Sequence, residues 1–300
     1  MQEDMDPALD PTLDHLSRRK FIGRVGAGAV TAAAIGTGAA AQVKKASALD
    51  DPHIEHHNVT FTSGSQKVEG FLAKPKGGGK RGSVVVIHEI FGVTDHIKDV
   101  TARLAKAGYN ALAVNFFTRE GAPPKLEKDF APLMAFVNKI PDSQVLGDIV
   151  AAATYLRNQP GSNGKVGTVG FCWGGYYSML ASTLGSPGKK NNLNAVVAYY
   201  GRIKLPPNTD RTMKPHSPLE AVPNMHAPLL GHFGALDTGI TPEDAAALRE
   251  ELKKDHKTGE VYVYEGGHAF NNDTRESYNA AAAKLAWSRT LDWFGKYLKG

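Results

Sequence analysis

One cysteine stands in the 300 residues, Cys172, in the frame Gly170-Phe171-Cys172-Trp173-Gly174-Gly175. An apolar run precedes it and an alanine-and-aromatic run follows, so the thiol falls where a strand turns into a helix. Glycines two before and two after it let the chain turn tightly and let strand and helix approach. Such a turn lifts the thiol above a sheet, at a helix N-terminus that favours thiolate over thiol. The backbone N–H of Trp173 then faces a developing oxyanion. Taken alone, a single cysteine is most often a small buried hydrophobe. Nucleophilic chemistry requires partners in the right order.

A thiol of this kind needs a base, and the base needs an acid to orient it. In strand-to-helix elbows the chain order is nucleophile, acid, histidine. "HFGALD" places Asp237 just past an apolar run, and "YVYEGGHAF" places His268 on a glycine-rich loop after the next strand. Each alone reads as a turn residue or a solvated loop side chain. Together, at strand ends and in this order, they complete a Cys172–Asp237–His268 triad. A second carboxylate, Glu89 in "VVVIHEIFG", ends another central strand and faces the region of the elbow. The N–H of Ile90, directly after it, is the expected second oxyanion donor. His88 is read as structural.

These positions require a scaffold of alternating strands and helices. Residues 58–63 and 67–74 read as a hairpin, and Val84-Val85-Val86-Ile87 as a strand buried on both faces. Ile97, Val100 and Leu104 repeat at helical spacing up to Gly108. The pattern continues through "ALAVNFF", the helix "SQVLGDIVAAATYLRNQPG", "KVGTVGF", "WGGYYSMLASTLG", "NAVVAYYG" and "APLLGHFGALD". It closes with "TPEDAAALREELKKDH", "GEVYVYEGG" and a long helix from about Arg275. Thr241 before Pro242 supplies an N-cap and an N1 proline. The implied class is α/β: a mostly parallel central sheet with helices on both faces, in one domain over residues 49–300.

Residues 1–48 read differently. Arg18-Arg19 precede a glycine- and alanine-rich apolar stretch to about Ala41, then Lys44-Lys45 and Ala46-Ser47-Ala48. This resembles a bacterial twin-arginine signal read by the export machinery, with cleavage near Ala41 or Ala48. The stretch is too rich in small residues, and too interrupted by Arg24, to be a stable membrane anchor. The expected location is periplasmic or secreted. A hydrophobic fraction of 42% and charged fraction of 22% are those of a soluble domain. A net charge of +5 without dense basic runs argues against nucleic acid and suits a small, anionic substrate. One cysteine permits no internal disulfide. No nucleotide loop, flavin fingerprint or metal cage is evident, so no cofactor and no metal are expected. The cluster His53, His56 and His57 is discounted as a metal site.

"HEIFG", "GFCWGG", "GALD" and "GGHAF", in this order, resemble the dienelactone hydrolases, or carboxymethylenebutenolidases, of the α/β-hydrolase superfamily. The resemblance covers roughly residues 57–300. It implies that Cys172 attacks a lactone or ester carbonyl, that His268 shuttles the proton, and that Glu89 holds the resting thiol. It also implies two arginines for a substrate carboxylate. Arg119 in "NFFTREGAPP" matches the first, but Asn272 stands at the second position. Arg275, expected on a helix, either swings in or faces solvent, and solvent is favoured. Tyr199 and Tyr200 match a tyrosine pair edging the family's pocket, one of them core. The proline-rich stretch 201–227, with Arg202 at its root, is a candidate substrate cover or a solvated insertion.

The sequence therefore predicts a cysteine-dependent hydrolase of small lactones or esters, acting through an acyl-thioester. Its rivals are another thiol enzyme with a G-x-C-x-G elbow, a free-thiol redox sensor and an exported binding protein that keeps the pocket without turnover. The last predicts that ligand shields Cys172 from alkylation while no product forms.

Overall fold

The computed structural model describes residues 47–126, 129–185 and 192–299. Its strands are β1 (Ile54–Ser63), β2 (Gln66–Pro75), β3 (Arg81–Ile87), β4 (Asn110–Val114), β5 (Ser162–Phe171), β6 (Ala195–Tyr199), β7 (Leu229–Gly234) and β8 (Gly259–Tyr264). They form one sheet in the order β1-β2-β4-β3-β5-β6-β7-β8. β1 and β2 pair antiparallel, β2 runs antiparallel to β4, and every later pairing is parallel. This is the mostly parallel sheet expected from the alternation of strands and helices, in the α/β-hydrolase arrangement that the resemblance implies.

The helices are α1 (Asp95–Lys106), α2 (Ala131–Asn138), α3 (Asp142–Arg157), α4 (Trp173–Ala181), α5 (Pro218–Ala221), α6 (Pro242–Lys254) and α7 (Ala280–Leu298). The side-chain alternation of a strand assigns them to two layers. Val85 and Ile87 of β3 join the core containing Val145 and Ile149 of α3, Tyr177 of α4 and Leu248 of α6. Val84 and Val86 join the opposite core, with Val100 and Leu104 of α1 and Phe294 and Leu298 of α7. A strand covered on both faces has no solvated side, which is why β3 reads as an unbroken apolar run. Thr241 caps α6 as expected: its side chain accepts from the Asp244 N–H, and Asp244 accepts from the Thr241 N–H.

Several boundaries differ from the sequence reading. β1 and β2 run longer than 58–63 and 67–74. β4 stops at Val114, where the Asn115 side chain accepts from the Phe117 N–H and turns the chain. α7 begins only at Ala280, capped by Asn279, so Arg275 lies on the loop before it. α2 was not foreseen. The proposed leader lies outside the described residues except for Ser47 and Ala48, and these two belong to the fold. The Ser47 hydroxyl and the Ala48 N–H both donate to Asp99 Oδ1 at 2.7 Å.

The elbow at Cys172 tolerates no extra atom. A Cβ on Gly174 would stand 2.2 Å from the Ile87 carbonyl oxygen, and one on Gly170 1.9 Å from that of Gly174. Gly147, mid-way along α3, has nothing within 4 Å of its Cβ direction. Gly174→Ala is therefore expected to destabilise by at least about 1–3 kcal/mol. Gly147→Ala should stabilise by about 0.5–1 kcal/mol. Urea unfolding of the two variants checks both signs.

Candidate active site

Five side chains converge where the parallel strands end. Glu89 follows β3, Cys172 follows β5, Tyr200 follows β6, Asp237 follows β7 and His268 follows β8. In open α/β sheets this carboxyl edge is where ligands bind. Cys172 is the N-cap of α4 with φ 55 and ψ −113, a left-handed conformation unusual for a side-chain-bearing residue. Its carbonyl accepts from the Gly175 and Tyr176 N–H groups, and its N–H donates to the Tyr199 carbonyl. The strained residue is thus pinned from both neighbouring elements.

His268 Nε2 lies 3.1 Å from Cys172 Sγ, and its Nδ1 donates to Asp237 Oδ2 at 2.7 Å. The other Asp237 oxygen accepts from the N–H groups of Gly239 and Ile240. Burial works to raise the Asp237 pKa, but His268 and these two donors outweigh it and hold the carboxyl below its usual value. Burial likewise opposes charging His268. Asp237 and Cys172 prevail, pushing the imidazole up to about 10. The geometry can orient the imidazole, take a proton from sulfur and keep the resulting cation beside it.

Glu89 is held differently. It is 3% exposed, and its Oε2 accepts from Asn272 Nδ2 at 3.0 Å. Burial raises its pKa, opposed by the nearby charges of Arg275 and His268 and by Asn272. The sulfur hydrogen-bonds to His268 rather than to Glu89, so the expected Glu89 grip on the resting thiol is not the arrangement seen. Asn272 is corrected in turn: as a buried partner of Glu89 it positions that carboxylate and does not line the cavity.

His88 sets the loop that carries Glu89. Its Nε2 accepts from the Phe116 N–H, so Nδ1 carries the proton and donates to the Glu89 carbonyl at 2.6 Å. Complete burial lowers its pKa to about 4 and keeps it neutral. The Trp173 indole stacks on His88 with ring centroids 5.4 Å apart. Ile90 and Trp173 both line the cavity, and their backbone N–H groups donate to no protein acceptor among the described residues. Tyr199 is the core member of the tyrosine pair, bonded to Thr290, while Tyr200 lines the cavity beside His268.

Arg119 requires the larger correction. Its guanidinium makes a bidentate pair with Asp148 of α3 at 2.7 and 2.8 Å, and its Nε reaches Gln66. The turn after β4 carries it over α3, and it does not line the cavity. The cavity instead holds Arg202 and Arg275, the latter stacked over Phe91 at 4.3 Å. Its volume is about 760 Å³, within the range of small-molecule sites. Residues 202–214 form much of one wall, so this part of the suspected cover does border the site. Lys214 anchors that wall to Asp142 at 3.3 Å and to the Tyr177 hydroxyl at 2.9 Å. Asp142 also accepts from Tyr176 and Tyr177.

A cysteine with a left-handed backbone after β5, an acid after β7 and a histidine after β8 of a mostly parallel sheet define the class as an α/β-hydrolase. The model of the dienelactone hydrolase family matches residues 68–298, and the chain belongs to that family. A candidate carboxymethylenebutenolidase of Escherichia coli O157:H7 is 37% identical over 245 residues, 79% of this chain and 86% of its own. A candidate 2-oxo-3-(5-oxofuran-2-ylidene)propanoate lactonase of a Bradyrhizobium species is 32% identical, covering 80% of this chain and 93% of its own. The crystal structure of a candidate dienelactone hydrolase of Klebsiella pneumoniae superposes with a TM-score of 0.73 at 34% identity. It covers 81% of this chain and 99% of that one. The protein is a hydrolase of esters or lactones.

Two variants test the reading of these charges. An unfolded glutamate titrates near 4.5 and the folded Glu89 above that. The native state therefore binds more protons between those values, and stability falls as pH rises through them. Glu89→Gln is expected to be the more stable protein at pH 7.5, with the advantage gone by about pH 4, measured by thermal unfolding. Arg119→Ala leaves the buried Asp148 unpaired and should cost about 1–3 kcal/mol, with KM unchanged in steady-state assays.

Proposed function

We propose that the protein hydrolyses small lactones or esters through a thioester on Cys172. The Asp237–His268–Cys172 hydrogen-bond chain, at 2.7 and 3.1 Å, carries this reading. His268 takes the thiol proton as Sγ bonds to the carbonyl carbon and the carbonyl electron pair moves onto oxygen. The N–H groups of Ile90 and Trp173 stabilise that oxyanion. Collapse re-forms the carbonyl and breaks the bond to the leaving oxygen, which receives the proton from His268. Water, deprotonated by His268, then attacks the thioester. Collapse of this second adduct breaks the C–S bond, returns the proton from His268 to sulfur and releases the carboxylic acid, which loses its own proton to solvent. Glu89, buried against Asn272 beside the site, is a second carboxylate that can accept a proton in this cycle.

An anionic substituent on the substrate has Arg275 and Arg202 to meet in the cavity. Two observations support export by the twin-arginine machinery to the periplasm or beyond: the Arg18-Arg19 pair and the small-residue stretch after it. Steady-state hydrolysis of dienelactone and of a neutral aryl ester tests the activity. Cys172→Ala should lower kcat at least about a thousandfold, and intact-mass spectrometry of quenched wild-type protein should show the acyl adduct. Arg275→Ala should raise KM for dienelactone more than for the neutral ester. Full turnover by Cys172→Ala would sink the reading.

A further inference from the structure

The helix α2 carries more apolar surface than its packing uses. Its sequence, APLMAFVN, is apolar on nearly every side, yet only Leu133 and Val137 are buried. Those two sit four apart and face the core. Phe130 and Met134, also four apart, form a second stripe that is 50% and 38% exposed. A surface helix normally turns charged or polar residues outward. Phe130, moreover, occupies the N-cap, where a side-chain oxygen would serve the helix, and it makes no capping hydrogen bond. Neither feature helps α2 fold.

This stripe faces the cavity that holds Cys172. Phe130, Met134 and Val137 line it, with Leu205 and Met213 of the covering segment and Phe91 of the Glu89 loop. The Phe91 and Phe130 rings meet edge to face at 6.4 Å, so the apolar wall is continuous with the residues after Glu89. Methionine beside a cleft adapts to chains of varied shape. His268 is itself flanked by Tyr200 and Ser277. The leaving oxygen must lie beside His268 to receive its proton. The apolar arm is built from other elements, α2 and the 205–213 segment, and meets Ile90 through its chain neighbour Phe91.

We infer that the arm between α2 and the 205–213 segment receives the hydrocarbon chain of the substrate's acyl group. The substrates it fits best are esters of medium-length acyl chains. This inference rests on the hydrolase reading above and names its substrate class. A cleft reserved for the smallest lactones would not need a second, exposed apolar stripe on α2.

Hydrolysis of 4-nitrophenyl acetate, butyrate, hexanoate and octanoate by the full chain tests it. The expected result is a rise in kcat/KM of about two- to fourfold per added methylene until the arm is filled. In Phe130→Ser/Met134→Ser the octanoyl-to-acetyl ratio should fall at least tenfold. Both replaced side chains are already substantially exposed, and an unchanged melting temperature verifies the fold. In parallel, calorimetry of Cys172→Ala with sodium octanoate and sodium acetate should show octanoate binding more tightly. The same substitutions at Phe130 and Met134 should abolish that difference. A flat or falling ester series with measurable turnover would overturn the inference and leave the hydrolase reading intact. No turnover of any ester, with octanoate still preferred through α2, would sink the hydrolase reading and support the arm. No turnover and no preference would overturn both.

Discussion

The arrangement depends on one tight turn. Cys172 holds a left-handed backbone because Gly170 and Gly174 pack against each other and Gly174 packs against the end of β3. The same contact brings α4 onto the sheet and brings the Glu89 loop beside the elbow. It therefore sets three things together: the height of the sulfur, the direction of the Trp173 N–H and the distance to the loop of Ile90. A backbone conformation of this kind costs about 1–3 kcal/mol and persists only when its surroundings over-determine it. Here the surroundings are main-chain atoms of β3, β6 and α4, which cannot relax as side chains can.

Around that turn two carboxylates are held in opposite electrostatic states. Asp237 accepts from three donors, and its charge is stabilised despite burial. Glu89 has one protein donor and deep burial, and its charge is disfavoured. Environments that push two acids apart are how one site separates an orienting anion from a carboxyl group that more readily holds a proton. The imidazole between Asp237 and Cys172 gains its charge from both neighbours. Asn272 acts through Glu89 by donating a hydrogen bond to its carboxylate. The amide thus serves positioning where an arginine would have served recognition.

The parts legible in the sequence were those governed by strand ends. Val84–Ile87 read as a doubly covered strand, and Cys172, Asp237 and His268 each followed such a run. Their convergence in space follows from parallel topology alone. Other residues depended on how loops travel, which local pattern does not encode. Arg119 is drawn away by Asp148 of α3, 29 residues downstream. Arg275 was displaced by one detail, the Asn279 cap, which starts α7 about five residues later than its composition suggests. α2 escaped notice because an all-round apolar octapeptide has no polar face to reveal its period.

Chemistry and recognition thus occupy different structural layers. The reacting groups stand on the rim of a sheet whose strands are buried on both faces, so their spacing is set by the core. The walls come from α2 and residues 202–214, which lie outside the sheet and are held by side-chain ties such as Lys204–Asp244 and Arg211–Glu220. Lys214 is the most constrained of these, tethered to Asp142 and to a pair of tyrosines on α4. A buried lysine with that many partners fixes the inner edge of the wall against the elbow helix. The outer edge, from Leu205 to Asp210, has no equivalent tether to α4. The cavity is consequently rigid where the carbonyl must be placed within a few tenths of an ångström. It is adaptable where only apolar contact is required, and apolar contact is non-directional.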